Sequence, residues 1–222
     1  MINIERIEQA SHILLVTTND TFANASALYS FILTKHKKVS LQNSTALEHK
    51  LSFLPWFEKC RHNTPSTADY IIEVDSNTQK YFEFFTKNAI KINKKMATAF
   101  YAGLLSQYDA FDAVDCDGTI FATASKLLAL QADKKTCHEY MLHRVPLSHI
   151  RLKEKLFASL LLQENATHAY VSISDKDLQS CNTKVTDAIS LMKEFLAIVH
   201  VTQVTLLKSD ENNKIIKNIK EI

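Results

Sequence analysis

Apolar runs alternate along the first part of the chain with segments of helical periodicity. Residues 4–12 have the spacing of a short amphipathic helix, and residues 13–17 are a continuous apolar and β-branched run, typical of a strand buried on both faces. From Ala23 the pattern is helical, and residues 39–41 form a second short strand. This strand–helix–strand unit has the length that a parallel crossover requires.

The pattern continues with a third strand over residues 69–75, which ends in an acid. Helical spacing then predicts a series of helices, over 78–88, 93–107, 117–131, 133–143 and 147–160. The first of these helices carries the aromatic run Tyr81 to Phe85. Such a run could stack on nucleic-acid bases or form an exposed partner site, but packing of the helix on the sheet is the favoured interpretation.

The last part of the chain has a different pattern. Residues 168–173 alternate like a half-buried strand, 186–195 are helical, and 199–207 form another strand, followed by a turn and a frayed terminus. The sequence therefore predicts an α/β fold, a parallel sheet flanked by helices over residues 1–163. A small α+β unit follows over residues 164–222.

Composition excludes several kinds of site. The chain has only two glycines, so it cannot build a Walker loop or a dinucleotide-binding fingerprint, which need several. Its four cysteines are far apart and have no paired zinc-ligand spacing. The net charge of +2 gives no whole-molecule argument for nucleic acid. No apolar run is long enough for a membrane span, and the first residues lack a signal-peptide pattern, so a cytoplasmic protein is expected.

The order of these segments resembles the DHH phosphoesterases, especially their nanoRNase and oligoribonuclease-like branch. Residues 13–17, Asp20 and residues 25–28 resemble the first strand, metal loop and helix of that family, and residues 69–75 resemble the strand that ends in a metal-binding aspartate at Asp75. Further similar stretches lie at residues 51–54, 97–105 and 151–153. The resemblance implies the family fold with a shortened C-terminal domain.

The departures from the family pattern concern its metal ligands. Asp20 stands at the first aspartate of the loop, but the second aspartate falls at Phe22, and no histidine occupies residues 16–18. No histidine lies between Asp75 and Tyr101, where the family carries its Asp-His-His triplet. A two-metal phosphodiesterase needs several oxygen and imidazole ligands, so Asp20 and Asp75 are residual positions that could hold one cation weakly.

Other groupings give weaker hypotheses. His138, His143 and His149 are spaced by five and six residues, which places successive members on different helix faces. The cluster of His36 with Lys35, Lys37 and Lys38 could contact phosphate, but a solvated helix end is the favoured interpretation. Adjacent helical residues point about 100° apart, so the run of residues 137–139 (Cys-His-Glu) is no catalytic site by adjacency.

Three functions follow as hypotheses. The first is a non-catalytic relative that binds or scaffolds another protein, without a cofactor and with homodimerisation possible. The second is an active manganese-dependent phosphodiesterase acting on short oligonucleotides or cyclic dinucleotides. The third is a nucleotide or RNA binder that does not hydrolyse its ligand. Metal ligands of the family pattern are missing at several separate places, although the chain still encodes a hydrophobic core. This combination favours the first hypothesis.

Overall fold

The computed structural model describes residues 2–63 and 67–220, and their contacts divide the chain into two units, Met1–Arg144 and Val145–Ile222. The sequence placed this boundary near residue 163. The difference arises because the helix that begins at Leu147 packs Leu152 and Leu156, both fully buried, into the core of the second unit. In the described part of the chain, no helix is long and apolar enough to cross a membrane.

The first unit contains a four-stranded parallel sheet in the order β3-β2-β1-β4. Its strands are β1 His12–Thr17, β2 Lys38–Asn43, β3 Cys60–Arg61 and β4 Tyr70–Glu73. Its helices are α1 Ile4–Gln9, α2 Phe22–Thr34, α3 Thr78–Lys87, α4 Lys94–Gln107, α5 Gly118–Ala129 and α6 Lys134–His138, the last continuing into a π-helical turn over Glu139–His143. Short 3₁₀ turns lie at His49–Leu51, Phe57–Lys59 and Asp109–Phe111.

Helix starts in this unit follow from local chemistry. The side chains of Asn77, Asn93 and Asp117 precede α3, α4 and α5, and each accepts a hydrogen bond from a backbone N–H of the first turn. These residues satisfy donors that would otherwise have no partner at a helix N-terminus. Helix α4 is buried on nearly every side, from Met96 to Leu105, and is therefore the central helix of the core.

The aromatic run on α3 packs inward, as the sequence predicted. Tyr81, Phe82 and Phe85 are buried, and the Phe85 ring lies 5.0 Å from the Phe100 ring and 5.3 Å from the Phe31 ring, centroid to centroid. Both pairs have the edge-to-face geometry that aromatic rings prefer. The run therefore joins α3 to α2 and α4 instead of presenting a surface for bases.

The second unit contains a mixed sheet in the order β5-β6-β7-β8, with β6 and β7 parallel and the outer pairs antiparallel. Its strands are β5 Leu161–Gln163, β6 His168–Ile173, β7 Gln203–Lys208 and β8 Lys214–Lys220. Its helices are α7 Leu147–Ala158, α8 Asp175–Cys181, α9 Val185–Leu191 and α10 Lys193–Leu196. The expected frayed terminus is wrong for residues 214–220, because β8 pairs with β7 over its whole length.

Candidate functional site

The sheet of the first unit has one place where ligands of open α/β folds usually bind. From β1 the chain adds β2 and β3 on one side of the sheet and β4 on the other, so the strand order reverses between β1 and β4. A crevice beyond the carboxyl ends of two such strands is the usual ligand site. Here that position lies next to Thr17 and Asp75, where the sequence placed its residual metal positions.

The loop after β1 is closed by its own side chains. The Thr17 and Thr21 hydroxyl oxygens lie 2.9 Å apart, and the backbone N–H of Thr18 donates to Thr21 Oγ1 at 2.9 Å. Thr17 and Thr21 are both buried. The polar groups of this loop therefore bind one another, whereas a metal-binding loop would direct carboxylate oxygens toward the ion.

Phe22 follows this loop as the first residue of α2 and is completely buried. Its ring meets the Phe57 ring edge to face, with centroids 6.0 Å apart. The family resemblance places the second metal-binding aspartate at this residue. An aromatic side chain inside the core cannot supply an oxygen ligand, and it excludes the water that a hydrated divalent ion would carry.

Asn24 connects the first turns of α2 to the end of β4. Its Nδ2 donates to the backbone carbonyl of Asp75 at 3.0 Å, while its Oδ1 is buried without a hydrogen-bond partner among the described residues. A Cβ on Gly103 of α4 would lie 3.0 Å from this Oδ1 and 2.5 Å from Thr78 Oγ1. The side chains of α2 and α3 therefore leave room only for glycine at this point of α4.

This close approach gives a prediction about the two glycines of the chain. Gly103→Ala is expected to destabilise the first unit by about 2 kcal/mol, because a methyl group overlaps the Thr78 hydroxyl. The measurement is urea denaturation followed by the fluorescence of Trp56, the single tryptophan, which lies in this unit.

Gly118→Ala is the matched control, since nothing lies within 4 Å of a Cβ there, and it should leave stability unchanged or raise it slightly. Adding Thr78→Ala to Gly103→Ala should recover part of the loss. Equal stabilities for the two alanine variants would contradict the packing described here.

Asp20 and Asp75, the residual metal positions, are both exposed. The Asp75 carboxylate pairs with Lys80 Nζ at 2.6 Å and accepts the backbone N–H of Asn77 at 3.1 Å. Within residues 2–63 and 67–220, no group of three or more histidine, cysteine, aspartate or glutamate side chains could hold a metal ion. The residues present therefore do not fit the pair of divalent ions that the resemblance implies.

The other candidate groups lie on other elements of the chain. His138 Nε2 lies 3.1 Å from the Tyr101 hydroxyl, and burial lowers the pKa of this histidine. Burial raises the pKa of the neighbouring Cys137 to about 12, so its thiol stays protonated at neutral pH and is a poor nucleophile. His149 lies in the second unit, 3.9 Å from Asp187.

The basic cluster at the end of α2 is tied to the first helix. Lys35 Nζ lies 2.9 Å from a carboxylate oxygen of Glu8, and Lys37 Nζ donates to the backbone carbonyl of Glu8. These contacts occupy the ammonium groups that would have to donate hydrogen bonds to a bound phosphate. The geometry thus favours the structural interpretation of this cluster.

The sequence did not predict a second feature, which lies at the same carboxyl end of the sheet. A cavity of about 210 Å³ at the carboxyl ends of β2 and β3 is lined by Asn43, Thr45, Phe57, Arg61 and His62, among others. Asn43 Oδ1 accepts the backbone N–H of Thr45 at 3.2 Å, and the buried Nδ2 of the same side chain has no partner in the described chain. The only sequence signal for this feature was an asparagine at the end of a strand.

Comparisons with known proteins bear on the fold. Neither a protein-family model nor a curated protein sequence matches the chain. An exopolyphosphatase-related protein from Bacteroides fragilis is similar in structure over 96% of this chain and 79% of its own, with a TM-score of 0.74 and 15% identity. A Methanococcus jannaschii protein described as a family II inorganic pyrophosphatase covers 89% of this chain and 83% of its own, at a TM-score of 0.37 and 13% identity.

The likeness to the exopolyphosphatase-related protein shows the fold of this chain. A parallel sheet flanked by helices, followed by a smaller unit with its own sheet, is the predicted fold class, which is thereby confirmed.

Proposed function

We propose that this chain is a non-catalytic relative of the DHH phosphoesterases, of the nanoRNase-like branch, and that it acts by binding another protein. The observation that carries this proposal is that the side chains beside the strand crevice bind one another instead of presenting metal ligands. Hydroxyl pairs close the β1–α2 loop, Asn24 binds the end of β4, and the buried Phe22 ring replaces a ligand. A chain that encodes a packed core without the metal ligands is consistent with a function carried by its surface.

The donor chemistry supports the non-catalytic half of the proposal. Each metal of a two-metal phosphodiesterase must be held while it activates water and neutralises the phosphoryl group. Asp20 is a single exposed carboxylate, and Asp75 is already paired with Lys80. Two carboxylates of this kind could bind one cation only weakly, with water in the remaining positions.

The test is incubation of the purified chain with Mn²⁺ and either short RNA or cyclic dinucleotides, with an active phosphodiesterase assayed in parallel. We expect no turnover, and titration calorimetry with Mn²⁺ should show no heat of tight binding. Asp20→Asn and Asp75→Asn should leave both measurements unchanged. Cleavage that either substitution abolishes would establish manganese-dependent hydrolysis instead.

A second candidate function, binding of a nucleotide or short RNA without hydrolysis, is favoured by the cavity beside Asn43. The cavity lies beyond the carboxyl ends of β2 and β3, at the same end of the sheet as the β1–β4 crevice, and an unpaired buried amide donor belongs to its lining. RNA binding that weakens steeply with salt, and that Arg61→Gln reduces, would support this function. Binding insensitive to both would not.

A further inference from the structure

The first sheet ends at β4 in an open edge. Tyr70–Glu73 pairs with β1 on one side only, in the register Tyr70 with Ile13 through Glu73 with Val16. Before the strand, the N–H of Asp69 donates to the carbonyl of His12, so Asp69 faces β1. At the end of the strand, the N–H of Val74 donates to the carbonyl of Val16, so Ile72 and Val74 direct their backbone groups toward β1. Because alternate residues of a strand face opposite sides, Ile71 and Glu73 direct theirs outward.

These outward groups have no partner in the described part of the chain. Neither hydrogen bonds nor strand pairings engage the outward N–H and C=O of Ile71 and Glu73. The edge is closed only beyond Glu73, where the N–H of Asp75 donates to the Tyr81 hydroxyl at 2.9 Å. A row of unpaired backbone groups is a template for another strand.

The side chains along this edge match that interpretation. The Ile71 side chain is 55% exposed, which is unusual for an isoleucine in a sheet whose other isoleucines are buried. A groove of about 530 Å³ runs beside it, lined by Tyr70, Ile71, Glu73, Lys80 and Tyr81 among others. The edge of β8 in the second unit is different, because it carries Lys214, Lys217 and Lys220, and edge lysines discourage pairing.

The charges at the edge indicate what would bind there. Asp69 accepts the backbone N–H groups of Ser11 and His12, which lowers its pKa, and Asp75 is neutralised by Lys80. The exposed Glu73 carboxylate forms no ion pair with a described residue. Arg6 also lies in the groove, but its guanidinium stacks on the Tyr70 ring, 4.7 Å from its centroid.

A second copy of this chain is a poor occupant. Antiparallel self-pairing through the outward residues would align Ile71 with either Ile71 or Glu73 of the other copy. The first alignment sets Glu73 against the position of Asp69, another acid, and the second sets Glu73 against Ile71. Neither alignment places a cation beside Glu73, which would lose water without gaining a partner.

We propose that the β4 edge binds an extended segment of a partner protein as a fifth strand, with a β-branched apolar residue beside Ile71 and a lysine or arginine beside Glu73. Backbone hydrogen bonds would supply most of the affinity, and these two side-chain contacts would supply the selectivity. The proposal rests on the proposed protein-binding function and names its docking surface.

The test uses the acetylated heptapeptide Thr-Val-Thr-Lys-Thr-Val-Thr, in which valine and lysine stand two positions apart as Ile71 and Glu73 do, and its counterpart with glutamate in place of lysine. Each peptide is titrated into the ¹⁵N-labelled full chain and followed by amide chemical shifts. The lysine peptide should bind about ten-fold more tightly than the glutamate peptide. The largest shifts should fall on the outward amides of Ile71 and Glu73 and should be smaller at Ile72.

Glu73→Lys should invert this preference so that the glutamate peptide binds more tightly, while Glu58→Lys, the same change on an exposed residue in the first unit, should not. An uninverted preference, shifts confined to other residues, or a dimer that Glu73→Lys dissolves would overturn the proposal. None of these outcomes bears on manganese binding or turnover, so the non-catalytic assignment stands or fails separately.

Discussion

Phe22→Asp, which introduces an aspartate where the resemblance to the DHH phosphoesterases places one, is expected to unfold the first unit instead of creating a metal site. Phe22 is completely buried, so the change removes an aromatic ring from the core and places a carboxylate there without a partner. Loss of a buried phenylalanine costs about 3–5 kcal/mol by itself, and a buried unpaired charge adds to this. We expect a loss of at least about 4 kcal/mol, measured by urea denaturation with Trp56 fluorescence.

Phe22→Leu is the control for this change, because it keeps an apolar side chain and should cost about 1–2 kcal/mol. The decisive second measurement is Mn²⁺ binding by the aspartate variant. A folded Phe22→Asp protein that binds manganese tightly would show that the crevice retains a latent metal site, contrary to the assignment made here.

The strands that could be predicted from the sequence are those with a clear apolar pattern. Residues 13–17 were recognised because a central parallel strand needs apolar residues at nearly every position. The run before Asp75 was recognised from its apolar residues, although β4 is an edge strand with Ile71 and Glu73 exposed. The edge strands β3, β5 and β8 were missed for the converse reason. Strand β8 is mostly exposed, its apolar residues do not alternate strictly, and its pairing with β7 depends on the tertiary fold.

Some features of the candidate site could likewise be predicted from the sequence, and others could not. The apolar residue Phe22 and the positions of Asp20 and Asp75 were visible in the sequence, because they follow from residue identity. The contacts that close the crevice were not. The bond from Asn24 to the Asp75 carbonyl and the close approach of Thr78 to Gly103 join residues far apart along the chain, so only the packed structure reveals them.

Phe85→Ala is expected to have the second largest effect, a loss of about 3–5 kcal/mol in the stability of the first unit. The Phe85 ring is completely buried between Phe31 of α2 and Phe100 of α4, so truncation leaves a cavity at the junction of three helices. Urea denaturation followed by Trp56 fluorescence measures the loss, and the slope of the transition should stay unchanged if the unfolded state is the same.

Phe84→Ala is the matched control, since Phe84 is the neighbouring residue on the same helix and is only partly buried. It should cost about 1 kcal/mol. Near-equal losses for the two variants, or a larger loss for Phe84→Ala, would mean that the aromatic run does not pack as described. In that case the alternative in which its rings form a surface for bases or a partner would have to be considered again.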